Sequence, residues 1–260
     1  METAVNREQY EQLFDLTDRV AIVTGGTRGI GRSLAEGLVC AGAKVVVASR
    51  KADACKETQA QLEAMGGEAL GVPTHMGDLD ALEHLVDATV ERFGGIDIVI
   101  NNAANALSIP LGEFTVEAWN KSYDVNLRGP VFLVQYALPY LKASEHAAVV
   151  NVISAGAFLA SNAQSMYSGA KAALMAFTRA QAREWAPLGI RVNALAPGTI
   201  DTDMVRNNPP EAQARMAAAS PMNRAAHPDE MIGPVMFLVS DAGSFMTGQV
   251  VLADGGMVPH

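Results

Sequence analysis

Short apolar runs alternate with longer segments of mixed apolar and polar residues along the chain. The runs are RVAIVT (19–24), KVVVAS (44–49), EALGVP (68–73), IDIVIN (96–101), AAVVNVI (147–153), IRVNAL (190–195) and QVVLAD (249–254). Because most of them are nearly continuous in valine, isoleucine and alanine, they predict strands buried on both faces, as in a parallel sheet.

The segments between these runs have helical character. DACKETQAQLEAMGG (53–67) and LDALEHLVDATVERFGG (79–95) are amphipathic, and both end at a pair of glycines. This alternation predicts right-handed βαβ units. We therefore expect an α/β fold, a single doubly wound Rossmann-type domain with about seven parallel strands flanked by helices, over residues 16–260. Residues 1–15 are expected to form an N-terminal arm, and residues 199–228 interrupt the alternation as an irregular helical excursion.

Composition narrows the class of partner. The net charge is −9, which argues against nucleic acid or an anionic membrane as the main partner. No apolar run approaches the roughly 20 residues that cross a bilayer, and the N-terminus lacks the apolar core of a signal peptide. Cys40 and Cys55 have no metal-binding or redox spacing, and neither do the histidines. We expect a soluble, cytoplasmic protein with free thiols, no metal site and a small-molecule substrate.

A glycine-rich stretch, TGGTRGIG (24–31), lies between the first predicted strand and a helix expected to begin near Gly31. Glycines permit a tight turn and a close approach of the backbone to a pyrophosphate, which the N–H groups of the helix N-terminus can then bind. The spacing G-x-x-x-G-x-G differs from the usual G-x-G-x-x-G fingerprint. A glycine-rich turn without a ligand therefore remains an alternative.

The end of the second predicted strand bears on the choice of cofactor. A carboxylate in that place binds the ribose 2′-OH of NAD, but here the sequence is VVVASRK, with Ser49, Arg50 and Lys51. Arg28 and Arg50 could bracket a 2′-phosphate through charge-assisted hydrogen bonds. The sequence thus predicts NADP(H) rather than NAD(H). The alternative is that both arginines are solvated loop charges.

Three polar residues in the segment after the fifth predicted strand are candidates for catalysis. Tyr167 and Lys171 are four residues apart and share a face if the segment is helical. A nearby ammonium group lowers the pKa of a phenol from about 10 towards the working range of an acid–base catalyst. Ser154, just past the strand, could bind a carbonyl or alcohol oxygen. Taken alone, the Tyr–Lys pair would more often be a solvated pair.

Together these motifs resemble the short-chain dehydrogenase/reductase family over residues from about Leu16 to Gly256. The matching segments are TGGTRGIG for TGxxxGxG, NNAA (101–104) for NNAG with Ala104 in place of glycine, Asn126 in YDVNLRG, Ser154, YSGAK (167–171) and PGTIDT (197–202).

The resemblance implies roles for four catalytic residues. Tyr167 is the general acid/base, and Lys171 lowers its pKa and binds the nicotinamide ribose. Ser154 orients the substrate oxygen, and Asn126 holds a water that links Lys171 to solvent. The alternative for Asn126 is a polar residue that only kinks a helix.

The resemblance also implies a set of cofactor-binding residues. These are Gly25, Thr27, Arg28, Gly29, Ile30, Gly31, Ser49, Arg50, Lys51, Asp78, Leu79, Asn102, Ala103, Ala104, Tyr167, Lys171, Pro197, Gly198, Ile200 and Thr202. Asp78 would bond the adenine amino group, Asn102 and Ala103 would line the adenine ribose, and Ile200 and Thr202 would meet the carboxamide. Two alternatives are structural: Asp78 caps a helix, and Asn101 and Asn102 only stabilise a strand end.

In the family, residues 199–228 correspond to a substrate lid. Its methionines (Met204, Met216 and Met222) are predicted to fill the lid or the core, and Phe158 and Leu159 to form a second apolar wall. Arg206 is the only basic residue near the start of the lid and is expected to face solvent.

We therefore predict an NADP(H)-dependent oxidoreductase acting on a ketone or secondary alcohol. One alternative is a 3-oxoacyl-thioester (acyl-carrier-protein) reductase, which the −9 charge does not favour because the carrier needs a basic patch. Another is a catalytically silent NADP-binding regulator. The family also implies a homotetramer, assembled through the helices that contain Asn126 and Tyr167 and through the C-terminal strand.

Overall fold

The computed structural model describes residues 6–259 and contains one seven-stranded sheet. All six strand pairings are parallel, in the order β3-β2-β1-β4-β5-β6-β7. The strands are β1 Val20–Thr24, β2 Lys44–Ser49, β3 Ala69–Pro73, β4 Ile98–Asn101, β5 Ala148–Val152, β6 Arg191–Pro197 and β7 Val250–Ala253. The predicted α/β fold class is confirmed. Six strands lie within their predicted runs, and β6 extends two residues further, to Pro197.

Helices cover both faces of the sheet. They are α1 Arg7–Gln12, α2 Gly29–Cys40, α3 Ala52–Ala64, α4 Leu79–Phe93, α5 Val116–Tyr123, α6 Gly129–Ala143, α7 Ser165–Trp185, α8 Asp203–Arg206, α9 Pro210–Ala218 and α10 Ile232–Val239. The glycine pairs end α3 and α4 as predicted. Gly94, for example, has a φ of 86° and its N–H donates to the carbonyl of Val90.

Alternation along each strand separates two apolar cores. Val23 and Val45 pack on one face of the sheet with residues of α2 and α10, such as Leu38 and Leu238. Ile22, between Ala21 and Val23 in the chain, packs on the opposite face with residues of α4 and α6. Burial on both faces explains why the strand sequences lack a polar side.

The order of the strands creates a switch point beside β1. The chain proceeds from β1 outward to β2 and β3, and then returns to place β4 on the other side of β1. In open α/β sheets, ligands bind in the crevice outside the carboxyl ends of the strands at this point.

Two segments lie outside the regular alternation. Of the predicted N-terminal arm, residues 1–5 lie outside the described residues, and α1 follows behind a capping box at Asn6. Residues 199–228 contain α8 and α9, and the amide of Ala226 donates to the carbonyl of Thr199 at 2.9 Å, which ties the two ends together. The predicted helical excursion is confirmed. Within residues 6–259, no helix combines the length and apolarity needed to cross a membrane.

Candidate active site

The segments predicted to form the site meet at one edge of the sheet. Because the strands are parallel, their carboxyl ends lie together. Most of the predicted residues lie at or just after strand ends, namely those of β1 (Gly25–Gly31), β2 (Ser49–Lys51), β4 (Asn102–Ala104), β5 (Ser154) and β6 (Pro197–Thr202). The crevice between β1 and β4 is therefore bordered by the glycine loop on one side and by the NNAA segment on the other.

The glycine loop turns directly into α2, which begins at Gly29, two residues earlier than predicted. Gly29 has a φ of 52°, in the left-handed region, and a Cβ there would lie 3.0 Å from the side chain of Thr202. At Gly31, a Cβ would collide with the carbonyl oxygen of Gly25. The loop thus exposes main chain rather than side chains ahead of a helix N-terminus, which fits a pyrophosphate.

Hydrogen bonds from β4 hold this loop in place. Thr24 Oγ1 accepts from the amides of Asn102 and Ala103, both at 3.0 Å, and Asn102 Nδ2 donates to the carbonyl of Thr24 at 2.8 Å. Asn101 is buried and donates to Asn151 Oδ1 at 2.9 Å. Asn101 and Asn102 therefore stabilise the end of β4. The role of Thr24 was missed, because a threonine at a strand end carries no motif.

Arg28 makes a contact that the sequence did not predict. Its Nη1 donates to Asp203 Oδ2 at 2.9 Å, an ion pair that joins the glycine loop to the first residue of α8. Arg50 and Lys51 are exposed and form no ion pair within the part of the chain described. Asp203 was missed because no local pattern relates it to a residue 175 positions earlier.

Asp78 caps α4, as the structural alternative predicted. Its Oδ1 accepts from the amides of Asp80 at 3.1 Å and Ala81 at 3.2 Å. Leu79 is the first residue of the helix and is half-buried. The cap uses one carboxylate oxygen, so the other remains for a second partner.

Tyr167, Lys171 and Ser154 form one cluster. Tyr167 and Lys171 lie in α7, and Lys171 Nζ is 5.7 Å from the centre of the Tyr167 ring. Ser154 follows β5, accepts from the amide of Gly156 at 3.0 Å and forms a side-chain hydrogen bond with Tyr167. Lys171 is 1% exposed, and its Nζ donates to the carbonyl of Val152 at 2.7 Å. The predicted pair is therefore not a solvated one.

The electrostatics of this cluster correct one expectation. The sequence predicted a lowered pKa for Tyr167, but burial raises the pKa of Tyr167, and the hydrogen bond with Ser154 opposes that shift only in part. Burial also lowers the pKa of Lys171 to about 8. Both shifts have the same origin, since a site with little water disfavours the phenolate and the ammonium alike.

Asn126 lies in a π-helical segment, Asp124–Arg128, between α5 and α6. Its side chain is fully buried and bound by Asn105: Asn126 Nδ2 donates to Asn105 Oδ1 at 2.8 Å, and Asn126 Oδ1 accepts from the Asn105 amide at 3.1 Å. Nδ2 also donates to the carbonyl of Ser122 at 2.9 Å. The regular helix is interrupted here by this π-helical turn. Because protein groups already occupy the carboxamide of Asn126, a water bound at this position would have to form its hydrogen bonds with main-chain groups. Asn105 follows the NNAA motif, but nothing in the sequence marked it.

Some residues of the segment after β6 belong to the apolar core, and others border the site. Ile200 is 4% exposed and belongs to the apolar core, so its main chain rather than its side chain is available to a carboxamide. Thr202 is half-buried and its Oγ1 donates to the carbonyl of Ile200 at 3.4 Å. Gly198 donates to the carbonyl of Ala253, which joins this segment to β7.

The lid residues are more exposed than a core role allows. Met204, Met216 and Met222 are 46%, 37% and 61% exposed, so the core alternative is wrong for all three. Arg206 binds Asp201, with hydrogen bonds of 2.7 and 3.0 Å, and is thus held within the lid. Phe158 is 39% exposed.

Comparisons with known proteins agree with this architecture. A family profile described as enoyl-(acyl carrier protein) reductase matches residues 25–258. The chain is 38% identical to a cis-4-hydroxycyclohexanecarboxylate dehydrogenase of Sinomonas cyclohexanicum, with 92% of this chain and 96% of that protein covered. It is 37% identical to a 3-oxoacyl-[acyl-carrier-protein] reductase of Synechocystis, with 94% and 98% covered.

A solved structure is also similar to this chain. It is that of a proposed NAD(P)-dependent gluconate 5-dehydrogenase from Beutenbergia cavernae, with NADP bound at low occupancy. The TM-score is 0.88 at 34% identity, and the alignment covers 94% of this chain and 98% of that one. The profile and the relatives each span nearly the whole chain. The protein belongs to the short-chain dehydrogenase/reductase family of oxidoreductases.

Proposed function

We propose that this chain is an NADP(H)-dependent oxidoreductase that interconverts a ketone and a secondary alcohol, with Tyr167 as the general acid/base. The observation that carries the proposal is the cluster of Tyr167, Ser154 and Lys171 at the carboxyl edge of the sheet. The cofactor, when bound, supplies or accepts the hydride. The protein's own residues position the substrate and move one proton.

Each polar group of the cluster has a task in that proton transfer. Ser154 Oγ and the Tyr167 hydroxyl can both donate to a carbonyl oxygen, which orients it and stabilises the negative charge that develops there. With its pKa raised by burial, Tyr167 is a protonated phenol at neutral pH and serves as the acid in reduction. Lys171, held at the Val152 carbonyl, places a positive charge beneath the ring, and it would bind the nicotinamide ribose of the cofactor.

The glycine loop and its neighbours would hold the cofactor. The main chain of Gly25 to Gly31 and the N-terminus of α2 suit the pyrophosphate, and Asn102 and Ala103 border the crevice. No carboxylate follows β2, where Ser49, Arg50 and Lys51 stand instead. This arrangement favours a ribose 2′-phosphate over a free 2′-OH, and hence NADP(H).

For the substrate, the exposed methionines of the lid (199–228) and Phe158 favour an apolar carbonyl compound. Two arginines of the lid are held by carboxylates, Arg206 by Asp201 and Arg224 by Glu230. A 3-oxoacyl thioester is the second candidate, because a 37% identical relative from Synechocystis is a reductase of that class.

The two candidates are separated by the loss of NADPH absorbance with two substrates, a short 3-oxoacyl thioester and a cyclic ketone, with NADH assayed in parallel. We expect turnover of the cyclic ketone with NADPH. Preferential turnover of the thioester supports the reductase of fatty-acid type. Faster turnover with NADH than with NADPH contradicts the cofactor assignment.

We also propose a homotetramer in the cytoplasm. In support, β7 is an edge strand with four half-buried residues, and Phe245 just before it is fully exposed. On α7, Phe177 is 43% exposed. Both cysteines are free thiols, which agrees with a reducing compartment.

A further inference from the structure

The glycine loop and the lid meet where Arg28 lies beside Asp203. Arg28 Nη1 donates to Asp203 Oδ2 at 2.9 Å, and Asp203 is the first residue of α8, near the start of the lid. One residue away on each side, a Cβ at Gly29 would lie 3.0 Å from Thr202. The cation expected to receive a ribose phosphate is therefore bound to the lid in this structure.

We propose that Asp203 is a specificity-determining residue that shares Arg28 with the 2′-phosphate of NADP(H). The proposal rests on the proposed NADP(H) dependence. Without a 2′-phosphate, Arg28 stays on Asp203 and links the loop to the lid. When NADP(H) binds, the phosphate takes Arg28 and Asp203 is released.

The strength of the ion pair permits this exchange. The side chains of Arg28 and Asp203 are 71% and 51% exposed. Exposed pairs of this kind contribute about 0.2–1 kcal/mol. A phosphate monoester carries a charge of about −1.5 to −2 and accepts bidentate hydrogen bonds from a guanidinium group, so it is the stronger partner. Arg50 and Lys51, exposed after β2, add to its attraction.

A second carboxylate on the same segment provides a matched control. Asp201 lies two residues before Asp203, and Arg206 holds it with hydrogen bonds of 2.7 and 3.0 Å. Removing the charge of Asp201 changes the net charge of the lid without freeing Arg28. A general electrostatic effect would change the NADPH affinity of both variants, whereas release of Arg28 would change only that of Asp203→Asn.

The experiment is calorimetric titration with NADPH, NADH, adenosine 2′,5′-diphosphate and 5′-ADP. The proteins are the wild type, Asp203→Asn, Asp201→Asn, Arg28→Ala and the double variant Arg28→Ala/Asp203→Asn. We expect Asp203→Asn to bind the two ligands with a 2′-phosphate about two- to fivefold more tightly, since breaking the ion pair no longer opposes binding. Binding of NADH and 5′-ADP stays unchanged. In the Arg28→Ala background, Asp203→Asn has no effect.

Three results overturn the proposal. The first is weaker NADPH binding by Asp203→Asn, which would mean that Asp203 positions Arg28 for the phosphate. The second is an equal effect of Asp203→Asn and Asp201→Asn on NADPH binding. The third is NADPH binding by Asp203→Asn that does not differ from that of the wild type. The proposed cofactor preference fails in a different way, when the wild type binds NADPH no more tightly than NADH and Arg28→Ala alters neither. If the wild type prefers NADPH and this preference depends on Arg28, but Asp203→Asn binds like the wild type, the cofactor assignment holds and only the exchange of Arg28 is refuted.

Discussion

At the scale of single residues, the most unusual group is the ammonium of Lys171. It is almost completely buried, and burial lowers its pKa to about 8 from 10.5. The folded protein therefore loses this proton at lower pH than the unfolded chain does. Stability contributed by this group rises as the pH increases from about 8 towards 10.5. Below about pH 8, the buried charge opposes folding.

Replacing Lys171 by methionine, which is uncharged and of similar length, should stabilise the protein at pH 7 while abolishing turnover. Lowering the pKa of Lys171 from 10.5 to about 8 corresponds to about 3 kcal/mol. Losing the hydrogen bond to Val152 removes about 1 kcal/mol of that gain. We expect a net gain of about 2 kcal/mol in the free energy of unfolding at pH 7, which disappears as the pH approaches 10.5. Denaturant unfolding across this range measures it. A difference independent of pH would contradict the buried charge.

The same pKa predicts the pH dependence of catalysis. In reduction, kcat/KM for NADPH reports the groups of the free enzyme, and it should fall above about pH 8 as Lys171 loses its charge. In Lys171→Arg the side chain stays charged, so the residual activity should show no fall near pH 8. An identical alkaline limb in both proteins would assign that limb to another group.

At the scale of elements, side chains hold several of the element ends that border the site. Asp78 caps α4, Thr24 binds the start of the NNAA segment, and Asn105 holds the π-helical segment through Asn126. These bonds satisfy main-chain groups that regular structure leaves open at its ends. The crevice is thus bordered in part by element ends that side chains hold in place.

The cap of α4 offers a clean test, because asparagine caps helices about as well as aspartate does. Asp78→Ala should lower the free energy of unfolding by about 1 kcal/mol, whereas Asp78→Asn should leave it unchanged. Chemical denaturation of the two variants provides the comparison. An equal loss in both would mean that the charge, and not the cap, stabilises this helix end.

At the scale of the whole molecule, the strands were predictable because runs of valine and isoleucine are characteristic of a sheet covered on both faces. The contacts that complete the site were not. Arg28 and Asp203 are 175 residues apart, and Asn105 and Asn126 are 21 apart. No local sequence pattern determines which distant segments of the chain come into contact. The raised pKa of Tyr167 was missed for the same reason, since burial of a helix face depends on what packs against it.

Assembly also belongs to this scale. The exposed Phe245 near the edge strand β7, and Phe177 on α7, favour association, and the proposed tetramer would contain four chains of 27.4 kDa. Light scattering at micromolar concentration should report that mass, and Phe245→Asp should reduce it. A monomer in the wild type would contradict the proposed tetramer.

The most direct test of the proposed mechanism is the turnover of Tyr167→Phe. This variant keeps the ring beside Lys171 and loses only the hydroxyl group that is proposed to transfer the proton. With NADPH and an accepted ketone, we expect kcat to fall by about 10²–10⁴, the usual contribution of a general acid, while calorimetry shows that the variant still binds NADPH. Full turnover by Tyr167→Phe would contradict the assignment of Tyr167 as the acid/base.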